Sequence, residues 1–420
     1  MKRFLFLFFS LASLIASAQE ILTLKQSYKL AETNYPLAKQ SDIIQKKTSS
    51  EISILDKGKL PQLDLNAQAS YQSDVIQFAG QIPNINMETP NKDQYRATLD
   101  ANQLIYNGGH INAQKELKTA QSETQLQQIE VNLYTLKSRI NQSFFSVLLL
   151  QEQASLLQSK KELLHLRLKE IESGIKYGAI LPSAQQVLKA EVLKIEQQIS
   201  EAEFDRQKAV DNLSSLLAQK ISTNTILKKP NIFINDDSAS NRPEFALFNL
   251  QENQLEVSKN AISKSRYPKL SGFTQLGYGN PGLNMLDNSF QDFYIVGLKL
   301  NWNIFDWGKT KKEKQVIEFS KEIVSTEKET FKLNNDIELQ NFKNDIDKYR
   351  EMLEKDDGII AMYEEVVKAS VTQLNNGVIS SSEYITELNK LYEAKINQQL
   401  HEIQLGLVKA NYRVTKGDFN

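Results

Sequence analysis

Residues 294–304 read Tyr-Ile-Val-Gly-Leu-Lys-Leu-Asn-Trp-Asn-Ile and run directly into Phe305-Asp306-Trp307-Gly308. Tyr294, Val296, Leu298, Leu300, Trp302 and Ile304 fall on one side of an extended chain, and Lys299, Asn301 and Asn303 on the other. A period of two predicts a strand with one apolar and one wet face. Beyond the Asp-Trp-Gly corner, Gly358 is the only glycine or proline from Lys309 to Asn376. That predicts a helix far longer than the 11–12 residues or so of an ordinary globular helix.

The same succession occurs earlier in the chain. Leu63, Leu65, Ala67, Ala69 and Tyr71 alternate with Asp64, Asn66, Gln68 and Ser70, and Tyr95 to Ala101 repeats the pattern with Arg96, Thr98 and Asp100 on the polar side. A weaker strand is expected from Leu270 to Tyr278, blurred by Phe273. From His110 to Ser173 there are 64 residues without Gly or Pro, about 96 Å if helical. Leu126, Ile129, Leu133, Leu136 and Ile140 step through that stretch by threes and fours, as one buried helical stripe requires. Ser183 to Lys229 is equally free of breakers, and Val378 to Lys416 contains only Gly406. Between Ile171 and Ser183 the run Ser-Gly-Ile-Lys-Tyr-Gly-Ala-Ile-Leu-Pro predicts a tight reversal, with Gly supplying positive φ and Pro182 opening the next helix.

These correspondences form an internal duplication. Tyr35-Pro36 matches Arg242-Pro243 and Leu60-Pro61 matches Tyr267-Pro268, both 207 residues apart. Ile105-Tyr106-Asn107-Gly108-Gly109 matches Ile304-Phe305-Asp306-Trp307-Gly308, and Tyr177-Gly178-Ala179-Ile180 matches Asn376-Gly377-Val378-Ile379, both 199 apart. The slip falls in the hairpin loops, where length is free to vary. The first repeat is placed at 19–220, with a helix, a hairpin at 62–106 and long helices at 109–173 and 182–220. A polar linker occupies 221–241. The second repeat covers 242–416, with a helix, a hairpin at 269–305 and long helices at 309–376 and 380–416, before a tail at 417–420.

Residues 1–18 carry the features of a secretory signal peptide: Lys2-Arg3, an apolar run from Phe4 to Ile15, and Ala16-Ser17-Ala18 as the cleavage site. The chain contains no cysteine, which excludes disulfides, thiolate metal sites and a lipid-bearing first cysteine. Fifty basic residues against 51 acidic ones exclude the basic excess of a nucleic-acid binder. After Gln19 no apolar stretch reaches the ~20 residues of a spanning helix. A membrane position therefore requires a β-barrel. Four strands cannot close one, and an open sheet in lipid leaves its edges unpaired. Two copies would give eight strands, and three would give twelve and room for a lumen.

In the duplicated helix-strand-strand-helix-helix plan, Leu60-Pro61 and Tyr267-Pro268 precede the first strands, and the corners Ile-Phe-Asp-Trp-Gly (304–308) and Ile-Tyr-Asn-Gly-Gly (105–109) enter the long helices. With the signal peptide, these features make the chain resemble the TolC-like outer-membrane efflux proteins. The resemblance implies a mainly α fold with membrane β structure: a homotrimer sharing one 12-stranded β-barrel, four strands per chain, continued by a long α-helical barrel through the periplasm. It also implies outer-membrane lipid, a periplasmic adaptor (membrane fusion) protein and an inner-membrane pump of RND or ABC type as partners.

Three candidate sites follow from the resemblance. Gly178-Ala179-Ile180 and Gly377-Val378-Ile379 match the small-residue turns that dock adaptor tips; each glycine is also expected as a turn residue. Glu383 falls where the family places an acidic ring at the periplasmic mouth, and Glu387 lies four residues on, on the same helical face. Three copies of this pair would favour cations; a solvated helix face is the competing reading. The corresponding place in the first repeat holds Ala184 and Gln185. Gly109 and Gly308 are expected as geometric strand-to-helix corners, with Trp307 at the membrane interface or packed. Tyr71, Tyr95, Tyr278, Phe293, Tyr294 and Trp302 suit interfacial girdles or a core.

No catalytic, cofactor or metal motif is present. His110, His165 and His401 have no ligand spacing, and Asp356-Asp357 and Asp236-Asp237 read as solvated charges. The expected function is a passive export duct. The alternative is a secreted coiled-coil structural scaffold with a soluble sheet and no pore.

Overall fold

The computed structural model describes residues 21–76, 89–178, 180–234, 240–285 and 287–418. The expected signal peptide, Ala179, Asp236-Asp237 and parts of the first hairpin loop and of the tail lie outside the described residues. The elements are β1 (Ile21–Leu22), α1 (Leu24–Asn34), α2 (Gln40–Lys57), β2 (Gln62–Tyr71), β3 (Asp93–Tyr106), α3 (His110–Lys176), α4 (Pro182–Leu217), β4 (Ile226–Leu227), α5 (Pro243–Lys264), β5 (Lys269–Asn280), β6 (Gln291–Asn301), α6 (Lys309–Asn375) and α7 (Ser381–Lys416).

The long helices come in pairs of equal length. α3 and α6 are 67 residues each, and α4 and α7 are 36 each. Several expected boundaries move by a few residues, among them the end of α4, at Leu217 rather than 220. β6 ends at Asn301, so Trp302, Asn303 and Ile304 lie outside the ladder. α3 does not end at Ser173 but runs through Gly174 to Lys176. Gly174 is there for space: a Cβ would come 2.5 Å from Ile180 Cδ1 across the turn.

The chain divides into two compact units, each drawing on both repeats. One comprises 40–129 and 244–330. Its centre is a four-stranded antiparallel sheet in the order β2-β3-β5-β6, so the two hairpins join through β3 and β5. The ladder is in register except for one bulge between Leu104 and Tyr106.

The other unit comprises residues up to 39, 130–243 and 331–420. It contains two main apolar cores. The first joins α1, α3, α4 and α7 through Leu24, Leu136, Phe144, Leu148, Leu213 and Leu407. The linker closes it by a short parallel pairing of β1 with β4. Asn141 is wholly buried there, accepting from the Tyr28 hydroxyl and donating to Asn411 Oδ1 at 2.8 Å. Burial pushes the Tyr28 hydroxyl well above the usual phenol range. The second core runs towards the helix turns through Leu157, Leu164, Leu188, Ile195, Tyr384 and Leu388. No helix among the described residues is long and apolar enough to cross a membrane.

Candidate functional site

The sheet presents two unlike faces. Leu63, Leu65, Tyr71, Leu276, Tyr278, Tyr294, Val296, Leu298 and Leu300 point one way and are all exposed, Leu65 to 78% and Leu298 to 71%. Such a contiguous apolar face is not left to water by a soluble domain. The other face is polar and internally bonded. Asp100 Oδ2 accepts from Asn66 Nδ2 at 2.7 Å and from Thr98 Oγ1 at 3.0 Å, and Asp100 Oδ1 from Gln275 Nε2 at 2.6 Å. Three strands are thereby tied through one carboxylate. Of the six aromatic residues expected as girdle or core, Tyr71, Tyr95, Tyr278, Tyr294 and Trp302 are exposed. Phe293 departs from the group. It lies on the polar face, where its ring fills the space a Cβ on Gly277 would need (2.1 Å), and the Arg96 guanidinium sits 5.2 Å above it.

The two corners share a construction. Asn107 Oδ1 accepts from the Gly109 N–H and Asp306 Oδ1 from the Gly308 N–H, both at 3.1 Å. Gly109 and Gly308 take φ of +79° and +78° with open space around a notional Cβ. The middle residues differ. Gly108 (φ +63°) would place a Cβ 2.1 Å from Tyr267 Cβ, whereas its twin Trp307 holds φ +54° with its side chain 89% exposed and edge-on to Phe305. Gly108→Ala must therefore displace Tyr267 as well as accept left-handed strain of about 1–2 kcal/mol, while Trp307→Gly relieves that strain. In thermal unfolding Gly108→Ala is expected to be strongly destabilising and Trp307→Gly neutral or stabilising; equal effects would contradict the geometry.

The helix turns are built on Gly178 (φ +73°) and Gly377 (φ +68°), both open to solvent. Of the other turn residues singled out in the sequence, Ile180 and Ile379 pack inward on the second core and Val378 is exposed. Tyr177 and Leu181 are exposed beside them, so the apolar surface at the turns is Tyr177, Leu181 and Val378.

Glu383 and Glu387 each have a local partner. Ser380 caps α7: its Oγ accepts from the Glu383 N–H, and the Glu383 carboxylate accepts from the Ser380 N–H at 2.8 Å and Oγ at 2.9 Å. This reciprocal cap holds the Glu383 carboxyl below the usual carboxylate range. Glu387 takes the Lys390 ammonium at 2.9 Å.

Two buried polar clusters lie in the same unit as the turns. Lys160 Nζ donates to Asn389 Oδ1 at 2.6 Å and lies 3.3 Å from Glu191 Oε1, binding α3, α4 and α7 inside the second core. Asp356 is buried and meets His401 Nδ1 at 2.6 Å, a correction to its reading as a solvated charge. The sequence held a signal for both. Lys160 stands between Leu157 and Leu164, and Asp356 four residues before Ile360, each on the apolar stripe of its helix.

Residues 23–219 match the profile of the family described as Outer membrane efflux protein. Comparison with curated proteins finds no match. Among solved structures, the outer membrane channel CmeC of Campylobacter jejuni aligns with a TM-score of 0.64 at 15% identity, covering 94% of this chain and 85% of that one. The outer-membrane channel OprN gives 0.66 at 15%, covering 94% and 90%. The Neisseria gonorrhoeae MtrE outer membrane channel, in its open state, gives 0.66 at 14%, covering 94% and 89%. The likeness at such identities is one of fold, and that fold is TolC-like: mainly helical, with four antiparallel strands per chain. The first repeat thus matches the outer membrane efflux protein profile, and the fold shared with these channels extends over nearly the whole length of the chain.

Proposed function

We propose that this chain is one third of an outer-membrane exit duct, a passive conduit of a tripartite efflux or type I secretion system. The observation that carries this is the exposed apolar face on a sheet whose outer strands, β2 and β6, each have one edge unpaired within the chain. In lipid an apolar outer face is favourable, but free edges are not. Three copies joined β6 to β2 would close twelve strands with the polar face inward. The long helices then stand in the periplasm. The chain supplies no energy of its own; an inner-membrane pump would, reached through a periplasmic adaptor seated on Tyr177, Leu181 and Val378 beside Gly178 and Gly377. A pore-free scaffold is disfavoured by the same apolar face, which in water would drive aggregation.

The reading is tested by purifying the secreted chain in detergent and adding it to planar bilayers. Heat-modifiable trimers and stepwise conductance are expected; a water-soluble monomer that never inserts would overturn it. Within this reading Glu383 and Glu387 form the acidic mouth of the tube. The cap keeps Glu383 ionised into mildly acidic solution, since a lowered carboxyl pKa loses its charge only when pH falls through that lower value. Glu383→Gln preserves the cap and removes the charge. Combined with Glu387→Gln it is expected to weaken cation block and raise single-channel conductance several-fold. Unchanged currents would remove the gate assignment and leave the duct standing.

A further inference from the structure

The polar face of the sheet is banded along the strands. Directly paired residues give successive rows: Lys269 with Asn301; Ser271 with Lys299; Asn102 with Phe273 and Gly297; Asp64 with Asp100, Gln275 and Ile295; then Arg96 with Gly279, two rows on. Positive, apolar, negative and again positive bands follow each other. Lys269, Lys299 and Phe273 line one cavity of about 750 Å³ with Ser271, Asn301 and Asn102, and no carboxylate borders it. Neither lysine has an ion-pair partner among the described residues. Burial and the Lys269 ammonium together hold nearby His110 below the ordinary imidazole range, so the charge of this band is that of the lysines.

Phe273 is out of place on a wet face. Its ring covers Gly297, 2.8 Å from where a Cβ would sit, and Phe273 lines both the cavity of the two lysines and the neighbouring one that holds Asp64 and Asp100. A flat apolar surface next to two unpaired cations, with neutral amides and a hydroxyl around them, is complementary to a planar organic anion. Such a ligand would stack on the ring and place its carboxylate or sulfonate between the ammonium groups.

We infer that Lys269, Lys299 and Phe273 form a transient binding station in the duct lumen for amphipathic aromatic anions, three copies making a ring of six lysines and three phenylalanines. The inference rests on the duct reading and extends it to a cargo class: amphipathic organic molecules carrying an anionic group.

The test is current block in planar bilayers, with 1-naphthalenesulfonate added from the barrel side and naphthyltrimethylammonium as the control of opposite charge. The sulfonate is expected to interrupt the current and the ammonium compound not to do so from that side. Lys269→Gln with Lys299→Gln should raise the blocking concentration by about tenfold, the equivalent of ~1.4 kcal/mol. Phe273→Ser should do the same while leaving the reversal potential in a KCl gradient unchanged. Lys299→Arg should keep the block. A conducting channel that the sulfonate does not block, or blocks equally in the variants, overturns this inference alone. A chain that forms no channel overturns the duct reading and the station with it.

Discussion

Leu65→Arg is expected to prevent accumulation of membrane-inserted trimers, while Asn66→Arg, one residue along the same strand, leaves them at near wild-type levels. Leu65 lies on the exposed apolar face. An arginine near the bilayer midplane of a barrel costs ~2–4 kcal/mol. Three copies act together, so the trimer would lose on the order of 6–12 kcal/mol, comparable with the whole stability of a typical domain. Asn66 faces the opposite way and already donates to Asp100 at 2.7 Å. An arginine there meets a carboxylate in a wet interior. Heat-modifiable trimer in outer-membrane fractions is the measurement. Similar loss in both variants would mean that the two faces are not lipid and lumen.

The second large effect lies far along the chain. Lys160→Met leaves Glu191 buried without its cation and Asn389 without its donor, and should lower the unfolding free energy by ~3–5 kcal/mol. Removing all three polar groups, Lys160→Met with Glu191→Leu and Asn389→Leu, should recover most of that loss. The surrounding residues, Leu157, Leu164, Leu188 and Tyr392, are apolar or aromatic. Chemical unfolding of detergent-solubilised trimers would measure both. A single variant as stable as wild type, or a triple variant no better than the single, would show that the cluster does not bind the three helices. There is also a pH signature. Burial pulls the Lys160 ammonium below its ordinary range, with Glu191 opposing. Between that lowered value and the ordinary lysine value of about 10.4 the unfolded chain binds more protons than the folded one. Stability from this residue therefore rises with pH across that window and is flat below it. Lys160→Met should lose the rise.

The sequence was legible where one physical rule acts alone. A period of two with no competing signal located the strands, and long stretches without glycine or proline located the helices to within a few residues. The duplication was legible because each repeat needs the same Asn/Asp-x-Gly corner and the same glycine turn. Legibility fell where two rules compete. Gly174 reads as a helix terminator by conformational preference, yet α3 continues through it because the Ile180 side chain needs the space a Cβ would take. Phe293 reads as a girdle aromatic by type and lies on the polar face by parity, over Gly277. Asp356 reads as solvated by charge and is buried by stripe position. In each case position along the period outweighed residue type. The pairing of β3 with β5, which joins the two hairpins into one sheet, lies beyond any local rule because its partners are far apart in the chain.

The absence of cysteine from the chain permits the most direct test of the wall itself. Single cysteines placed in turn at 294, 296, 298 and 300, and at 295 and 299, can be offered a membrane-impermeant maleimide after reconstitution into liposomes. Alternation along β6 is expected: the even positions shielded from the reagent and reached by a lipid-soluble quencher, the odd positions labelled from water. Labelling of both sets alike, with no response to the lipid-phase quencher, would contradict it.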